Sequence, residues 1–295
     1  MSRSRAGGYT RRPHFNKSLA HRVSYYGLVL SAPAGFRLVA PLRLHPFGET
    51  TLLARAGRTF VCKRLASRGR SEAEARERLL REAAILRALD GCRAPRLVAE
   101  GEDDSGHYFV MEHLNGAPLT RYLEAGVPVP LTWFHLVAAD AWCALAELHA
   151  KGDGQGDLDI VHGDLAPDNI LIAPNERIVF VDFGLASWRH GGPLGTTARG
   201  TLLYAAPEVV RGERMDRRSD LFALAATLLH LACAKAPRQG KTEAALVLEA
   251  GGEPIERWAN DAAKRVTGPL GRALVACVSF QPAQRPSSAK EALVR

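Results

Sequence analysis

Short apolar runs broken by proline and glycine occupy the chain up to about residue 112, and they predict strands and turns. Residues 59–65 (TFVCKRL) form one such run with a lysine in its middle. Two more strand signals, at residues 95–99 and 108–112, are separated by a polar turn at 102–106. The first part of the chain is therefore predicted to be rich in β-structure.

One helix is predicted inside this β-rich part. Ser71 and Glu74 have the spacing of a capping box, in which two side chains satisfy backbone N–H groups at a helix start. Leucine and alanine then recur at helical spacing through residues 79–89. Asp90 and Gly91 follow as a stop signal, so we expect the helix to end there.

After residue 116 the pattern changes to longer apolar stripes, which are typical of helices. A pair of short apolar runs, 170–173 and 178–181, flanks Pro174-Asn175 and has the size of a β-hairpin. The helical patterns lie at residues 131–150, 220–234, 242–249 and 269–279.

A β-rich part followed by an α-rich part predicts an α+β molecule with two lobes. We expect the boundary between the lobes near residues 113–116. The predicted units are a basic N-terminal extension over residues 1–40, a small β-rich lobe over 41–113 and a larger helical lobe over 114–295.

Charge is distributed unevenly along the 295 residues. The formal net charge is +8, and residues 1–48 contain eight Lys or Arg and no acid. The remaining 31 basic residues balance all 31 acids. This pattern predicts a basic arm on a neutral globule, with an anionic molecule as a possible partner of the arm. The longest apolar run, 221–234, is too short for a transmembrane segment, so none is expected.

Five scattered cysteines without any CxxC pair exclude zinc-ribbon and thioredoxin-type sites. Reduced thiols in the cytoplasm are the simplest interpretation. The start of the chain has no apolar segment long enough for a secretory signal, although its Arg- and Ser-rich, acid-free composition also resembles an organelle transit peptide.

The residues with the strongest chemical signal lie between 162 and 184, in HGDLAPDNILIAPNERIVFVDFG. If the segment after Asn169 forms a hairpin, Asn169 and Asp182 return to the same edge as hard oxygen ligands for Mg²⁺. Asp164 would face the same site as a base or orienting group for a hydroxyl. Upstream, Lys63 and Glu82 could pair and hold a phosphate.

These residues, taken in order, resemble the eukaryotic-type (Hanks-type) protein kinases, in a Ser/Thr-like form. The resemblance runs from about residue 41 to residue 286. The matching motifs are the strand lysine in 60–63, the hinge in 109–114, the HGDLAPDN catalytic loop, Asp182-Phe183-Gly184, Gly200-Thr201, the YAAPE segment 204–208, Asp220, and Arg285 as the partner of Glu208.

The resemblance implies an ATP- and Mg²⁺-dependent enzyme that phosphorylates Ser or Thr on a protein substrate. It implies that Lys63 holds the α- and β-phosphates, that Glu82 orients Lys63, and that His162 packs beneath Phe183. Asp164 would act on the hydroxyl, with Thr201 beside it. Asn169 and Asp182 would bind magnesium. The implied nucleotide site further includes Gly48, Val61, Met111 as gatekeeper, Glu112, Leu114 and Leu171.

Three positions depart from the family pattern. The phosphate-covering glycine loop aligns with residues 43–48, where only Gly48 remains, although Arg43 or His45 could supply a charge. Ala166 replaces a lysine that neutralises the γ-phosphate. Gly163 replaces the arginine that reads a phosphate on the activation loop, so activity is expected not to depend on phosphorylation of that loop.

Two alternatives follow from these departures. The HGD form of the catalytic loop is also found in small-molecule kinases of the same fold, but those usually lack the segment around Glu208 and Arg285. The lost glycines and Ala166 favour a pseudokinase that binds a nucleotide or a partner, whereas Lys63 and the three polar residues of the 162–184 segment oppose it. The substrate, the regulatory input and the oligomeric state are left open by the sequence.

Overall fold

The computed structural model describes residues 22–25, 28–45, 48–65, 72–191, 201–252 and 254–294. Within these ranges a sheet-containing N-terminal lobe precedes a mainly helical C-terminal lobe, which confirms the predicted α+β class. All five cysteines are free. No helix in the described ranges has the length and apolar composition needed to cross a membrane.

The N-terminal lobe is built on a five-stranded antiparallel sheet with the order β3-β4-β5-β7-β6. Helix α1 (Glu72–Leu89) packs against this sheet. The helix ends at Asp90 and Gly91, whose φ angles of 46° and 78° confirm the predicted stop. The predicted cap at Ser71 lies outside the described residues. The strands are β3 (Arg37–His45), β4 (Gly48–Arg55), β5 (Arg58–Leu65), β6 (Leu97–Asp103) and β7 (Gly106–Glu112).

Side chains of β5 alternate between two hydrophobic clusters, because successive residues of a strand point to opposite faces. Val61 and Leu65 belong to the main core, which extends through both lobes. Phe60 and Cys62 belong to a smaller cluster on the other face of the sheet. Lys63 has the parity of Val61 and Leu65, so it lies on the face toward α1 and the site.

The chain before the sheet contributes to the smaller cluster. A two-stranded hairpin, β1 (Arg22–Tyr25) and β2 (Leu28–Ser31), precedes β3. Leu30 and Phe36 are buried there, at 0% and 3% exposure. The boundary expected between residues 40 and 41 lies inside β3, which is paired with β4. Apolar residues upstream of this boundary pack on the sheet, so they belong to the N-terminal lobe. The basic segment 1–21 lies outside the described residues.

The C-terminal lobe is organised around α5 (Arg217–Cys233), in which 13 of 17 residues are buried. Asp216 caps this helix in a capping box with Ser219. The other helices are α2 (Thr120–Leu123), α3 (Leu131–His149), α4 (Pro207–Val210), α6 (Glu243–Gly252), α7 (Glu256–Ala263), α8 (Pro269–Cys277) and α9 (Ala289–Val294).

The predicted hairpin is present at the junction of the lobes. Strand β9 (Ile170–Ile172) pairs with β10 (Ile178–Phe180) and with β8 (Ala117–Pro118). The backbone N–H of Val181 donates to the carbonyl of Asn169 at 3.0 Å. The two ends of the hairpin, at Asn169 and Asp182, therefore lie at the same edge.

Candidate active site

A polar cavity of about 420 Å³ lies at this edge. Both lobes line it, since Arg43 comes from β3 and Arg78 from α1, while the other lining residues come from the C-terminal lobe. They are Asp164, Asp168, Asn169, Asp182, Gly184, Leu185 and Thr201. Segments that are more than 100 residues apart in the chain therefore meet around one space.

Lys63 connects the two lobes at this cavity. Its Nζ donates to Glu82 Oε1 at 2.6 Å and to Asp182 Oδ1 at 2.8 Å. Burial alone would lower the pKa of Lys63, but the carboxylates of Asp182 and Glu82 outweigh burial and raise it. Lys63 is therefore a permanent cation held between two carboxyl groups.

The two carboxyl partners of Lys63 have opposite pKa shifts. The charge of Lys63 lowers the pKa of Asp182 to about 2, against the opposing effect of burial. Burial raises the pKa of Glu82, and this effect exceeds the attraction of Lys63. Asp182 is thus the carboxylate that stays ionised in the cavity, while Glu82 lies beneath Lys63 at 3% exposure.

Backbone geometry orients Asp182 toward the cavity. Asp182 has φ 65° and ψ 72°, a left-handed conformation at the start of a 3₁₀ turn over Phe183–Leu185. The N–H of Phe183 donates to Glu82 Oε1 at 3.2 Å, which links this turn to α1. The ring of Phe183 packs on that of His162 with centroids 4.6 Å apart, and His162 is fully buried as expected.

Asp164 is surrounded by hydrogen-bond donors. Asn169 Nδ2 donates to Asp164 Oδ2 and to its carbonyl oxygen, both at 2.9 Å. The N–H of Thr201 donates to Asp164 Oδ1 at 2.8 Å. Burial raises the pKa of Asp164, while the hydrogen bond from Thr201 opposes the rise. Both carboxylate oxygens are therefore held in place, and the side chain has a fixed direction.

The loop that carries Asp164 is anchored on α5. Asp220 accepts hydrogen bonds from the N–H groups of His162 and Gly163 at 2.8 and 2.9 Å. Thr227 Oγ1 donates to the carbonyl of Leu165 at 2.9 Å. Because Asp220 is completely buried, these charge-assisted bonds fix the loop from below.

Gly163 adopts φ +78°, a conformation that favours glycine. A Cβ at this position would come within 2.9 Å of the Leu185 carbonyl oxygen and of Met215 Sδ. Glycine, which replaces the arginine of the family pattern at position 163, therefore fits this backbone conformation without strain.

The residues implied for nucleotide binding do not line this cavity, and all of them except Leu114 lie on strands. Val61 pairs with Met111 across β5 and β7, and both are buried. Gly48 starts β4 opposite Leu65, and Leu171 lies in β9.

The backbone N–H groups of the hinge differ in their hydrogen bonding. The N–H of Glu112 already donates to the Arg96 carbonyl at 2.9 Å, whereas the N–H of Leu114 has no acceptor among the described residues. Leu114 can therefore offer its N–H to a bound ring.

A divalent cation fits the oxygen atoms of Asn169 and Asp182. Because Asn169 Nδ2 is turned to Asp164, its amide oxygen is left as an acceptor, and Asp182 is ionised. No group of three or more His, Cys, Asp or Glu residues in the described ranges could hold a metal by itself. This donor set suits Mg²⁺, which commonly binds through one or two protein oxygens together with substrate phosphates.

The motifs do not reveal Arg78, although it lines the cavity with Arg43. Its position in the sequence could have predicted this. Arg78 lies four residues before Glu82, and residues four apart share one face of a helix, so both are expected on the side of the helix that faces the site. Arg43, which the sequence suggested as a substitute charge, lines the cavity. The side chain of His45 lies outside the described residues.

A buried ion pair supports the segment that follows Thr201. Arg285 donates to both carboxylate oxygens of Glu208, at 2.6 and 2.9 Å, as the resemblance implies. Ser219 Oγ also donates to Glu208, at 2.7 Å. Arg285 and Glu208 are each 3% exposed, so the charges stabilise each other away from water.

Comparison with known proteins gives a consistent result. Residues 47–294 match the protein kinase domain family. The chain is 34% identical over 221 residues to the DNA damage-responsive serine/threonine-protein kinase RqkA of Deinococcus radiodurans, which covers 72% of this chain and 32% of RqkA. It is 33% identical over 232 residues to the serine/threonine-protein kinase PknF of Mycobacterium tuberculosis, covering 72% of this chain and 46% of PknF.

A third relative is the serine/threonine-protein kinase PrkC of Bacillus subtilis, at 29% identity over 174 residues, covering 58% of this chain and 26% of PrkC. The chain thus spans between a quarter and a half of the length of these relatives. The family match covers most of the chain. This chain belongs to the protein kinase domain family.

Proposed function

We propose that this chain transfers the γ-phosphoryl group of ATP, with Mg²⁺, to serine or threonine hydroxyls of a protein substrate. The observation that carries the proposal is the position of Lys63 between Glu82 and Asp182, beside a cavity that Asp164 and Asn169 share. The names of the relatives support serine/threonine specificity. Phosphoryl transfer needs positioning and charge neutralisation more than covalent chemistry, and this cavity supplies both.

Lys63 holds the α- and β-phosphates in this proposal, and Glu82 keeps its ammonium group in place. Asn169 and Asp182 provide oxygen ligands for magnesium. When bound, Mg²⁺ supplies positive charge that neutralises the transferred phosphoryl group. The low pKa of Asp182 supports its role, since the ligand stays ionised over the whole physiological pH range.

Asp164 orients the acceptor hydroxyl and accepts its proton. The hydrogen bonds from Asn169 and Thr201 hold the carboxylate in one direction, and the raised pKa brings Asp164 closer to that of a useful base. Thr201 has a positioning role beside Asp164.

The adenine ring lies between Val61 above and Leu171 below in this proposal, with Met111 as gatekeeper. Glu112 and Leu114 offer backbone groups to the ring, and Gly48 allows close approach of the backbone to the phosphates. The free N–H of Leu114 supports this arrangement.

Arg43 and Arg78 favour an active enzyme over a pseudokinase. The chain lacks a lysine at position 166 and most glycines of the phosphate-covering loop, which removes phosphate-binding groups. Two arginines that line the same cavity return positive charge to it. The segment anchored by Glu208 and Arg285 favours a protein substrate over a small molecule.

The five free cysteines support a reducing compartment such as the cytoplasm. An anionic partner for the basic arm also remains part of the proposal. It follows from the eight basic residues and the absence of acids in residues 1–48.

The decisive experiment incubates the protein with γ-labelled ATP, Mg²⁺ and a general protein acceptor such as casein. We expect label on casein or on the chain itself, and we expect Asp164→Asn to lose at least 99% of the rate. Asp157→Asn is the matched control, because Asp157 is exposed and bonds to Arg217 away from the cavity. Equal rates for wild type and Asp164→Asn, or label transferred to neither protein, would contradict the proposal.

A further inference from the structure

Arg238 lies between α5 and α6 and is buried at 4% exposure. Its Nη1 donates to the carbonyl oxygens of Leu202 and Leu203, both at 2.8 Å. Its Nη2 donates to the carbonyl oxygen of Ala205 at 2.9 Å. One guanidinium group therefore binds three of the first five backbone carbonyls after Gly200.

This arginine differs from the other buried arginines in the described ranges. The other four are Arg64, Arg81, Arg93 and Arg285, and each has a carboxylate oxygen within 4 Å of its guanidinium group. Arg238 has no such carboxylate among the described residues. Burial lowers the pKa of Arg238 to about 10, against the opposing effect of the charge of Glu249. The carbonyl dipoles and the ring of Phe222, 5.8 Å away, are its remaining stabilising contacts.

A buried cation without an ion-pair partner is costly for folding. An apolar side chain of similar size would fill the same space without that cost. The charge of Arg238 is therefore better explained by what it holds than by the stability of the lobe. What it holds is the backbone of residues 201–206, which we call the substrate segment.

The substrate segment begins at the proposed base. The N–H of Thr201 donates to Asp164 at 2.8 Å, and the Thr201 carbonyl accepts from the N–H of Tyr204 at 2.9 Å. The Tyr204 hydroxyl is hydrogen-bonded to His230 Nδ1 at 2.8 Å. The segment is thus attached to Asp164 at one end and to Arg238 and His230 on α5 and just after it.

We propose that Arg238 is a positioning residue for the protein substrate. By holding the substrate segment in one conformation, it places the Thr201 N–H at Asp164 and presents a fixed surface to the residues that flank the acceptor hydroxyl. Thr201 lines the cavity, so a hydroxyl that reaches Asp164 passes along this segment. This inference rests on the proposed kinase function.

Steady-state kinetics with casein as the acceptor test the proposal. We expect Arg238→Met to lower kcat/KM for casein at least tenfold, mainly through a higher KM, while the Kd for Mg-ATP stays within twofold of wild type. Arg238→Lys keeps the charge but not the planar set of donors, so we expect an intermediate KM. Arg272→Met, at an exposed arginine of α8, is the matched control and should equal wild type.

Hydrogen exchange tests the same contact without any acceptor protein. In Arg238→Met, the amides of residues 201–206 should exchange at least tenfold faster, while those of α3 and α5 keep the wild-type rates. If Arg238→Met does not fold, Arg238→Lys provides both measurements. A purely structural residue would change the melting temperature and leave the KM for casein unchanged.

Different results would contradict the kinase function and the role of Arg238. Wild-type protein that transfers no label to casein or to itself would contradict the kinase function and with it the substrate role of Arg238, and hydrogen exchange would then show only whether Arg238 orders residues 201–206. An active wild type whose Arg238→Met variant has a casein KM within twofold, or unchanged exchange at residues 201–206, would overturn the inference about Arg238.

Discussion

Lys63 illustrates how one residue can depend on its surroundings for its chemistry. On a strand it would ordinarily be an exposed cation, as most lysines are. Here it lies between Glu82 and Asp182 and is mostly buried, and the two carboxyl groups keep it charged. Removing any member of the group therefore leaves the other charges without compensation.

Lys63→Met should lower the rate of phosphoryl transfer by about 10²–10³, the range for loss of one electrostatic group at a reaction centre. Its measurement is the initial rate of transfer to casein. Lys264→Met serves as the control, because Lys264 is an exposed lysine paired with Asp261. A Lys63→Met rate within threefold of wild type would show that Lys63 does not hold the phosphates.

At the scale of elements, the chain upstream of the sheet has a structural role that its basic composition hides. Leu30 and Phe36 are buried against β4, β5 and β7, in the cluster on the outer face of the sheet. Burying a side chain of this size contributes about 1.5–3 kcal/mol. The N-terminal lobe therefore depends on residues upstream of the boundary expected at position 41.

Two truncations separate the basic arm from this structural part. Deletion of residues 1–21 should leave the melting temperature nearly unchanged, because that segment is highly charged and has little apolar content. Deletion of residues 1–36 should lower the melting temperature by roughly 5 °C or more. Thermal unfolding measures both, and Phe36→Ala in the full chain should reproduce part of the larger loss. Equal melting temperatures for the two truncations would contradict the role given to Leu30 and Phe36.

The activation loop is the part of the chain between Asp182-Phe183-Gly184 and the YAAPE segment 204–208, and its neighbours indicate whether a phosphate on it could be bound. Residues 192–200 lie outside the described ranges, but Thr201 contacts Asp164. Gly163 leaves the catalytic loop without a side chain that could bind a phosphate on the segment. Arg78, which lines the same cavity as Thr201, is a cation that the motifs did not indicate.

Replacing both Thr196 and Thr197 by alanine should therefore change activity by less than about tenfold, or roughly 1.4 kcal/mol. Thr201→Ala should cost more, because Thr201 lies at the proposed base. Initial rates of transfer to casein distinguish the two variants. An inactive double variant together with an active Thr201→Ala variant would reverse the assignment and would identify Arg78 as the residue to test for phosphate binding.

The cavity forms only when the two lobes of the molecule are folded together, because both lobes line it. Its lining residues come from β3, α1, the catalytic loop, the turn after β10 and the substrate segment. A ligand that contacts both lobes should therefore stabilise the molecule as a unit, since binding to the folded state alone raises the free energy of unfolding.

Mg-ATP should raise the melting temperature of the wild type, with a stabilisation of about 2.7 kcal/mol at a hundredfold excess over Kd. Removing magnesium with EDTA should abolish the magnesium-dependent part of this increase. Asp182→Asn should lack the same part even with magnesium present, whereas Asp157→Asn should behave as wild type. An EDTA-insensitive shift in the wild type would contradict magnesium binding at Asp182.

Local sequence signals were sufficient to predict features that depend on a single helix or hairpin. The stop of α1 at Asp90 and Gly91, the hairpin around β9 and β10, and helices α3 and α8 follow from spacing within short segments. Helix α7, of eight residues, was not predicted, because its only large apolar side chain is that of Trp258 and its other apolar residues are three alanines. Helix α5 begins three residues earlier than its apolar pattern, since the capping box at Asp216 sets its start.

By itself, the sequence determined the α+β class, the order of the kinase motifs and the residue types around which the site is built, because each depends on neighbours in the chain. Only the tertiary structure brought Arg78 to the cavity and placed Arg238 on the carbonyls of the substrate segment. Such contacts join residues far apart in sequence, and packing decides them. A buried arginine and an exposed one therefore have the same appearance in a sequence, and they differ only in what surrounds them.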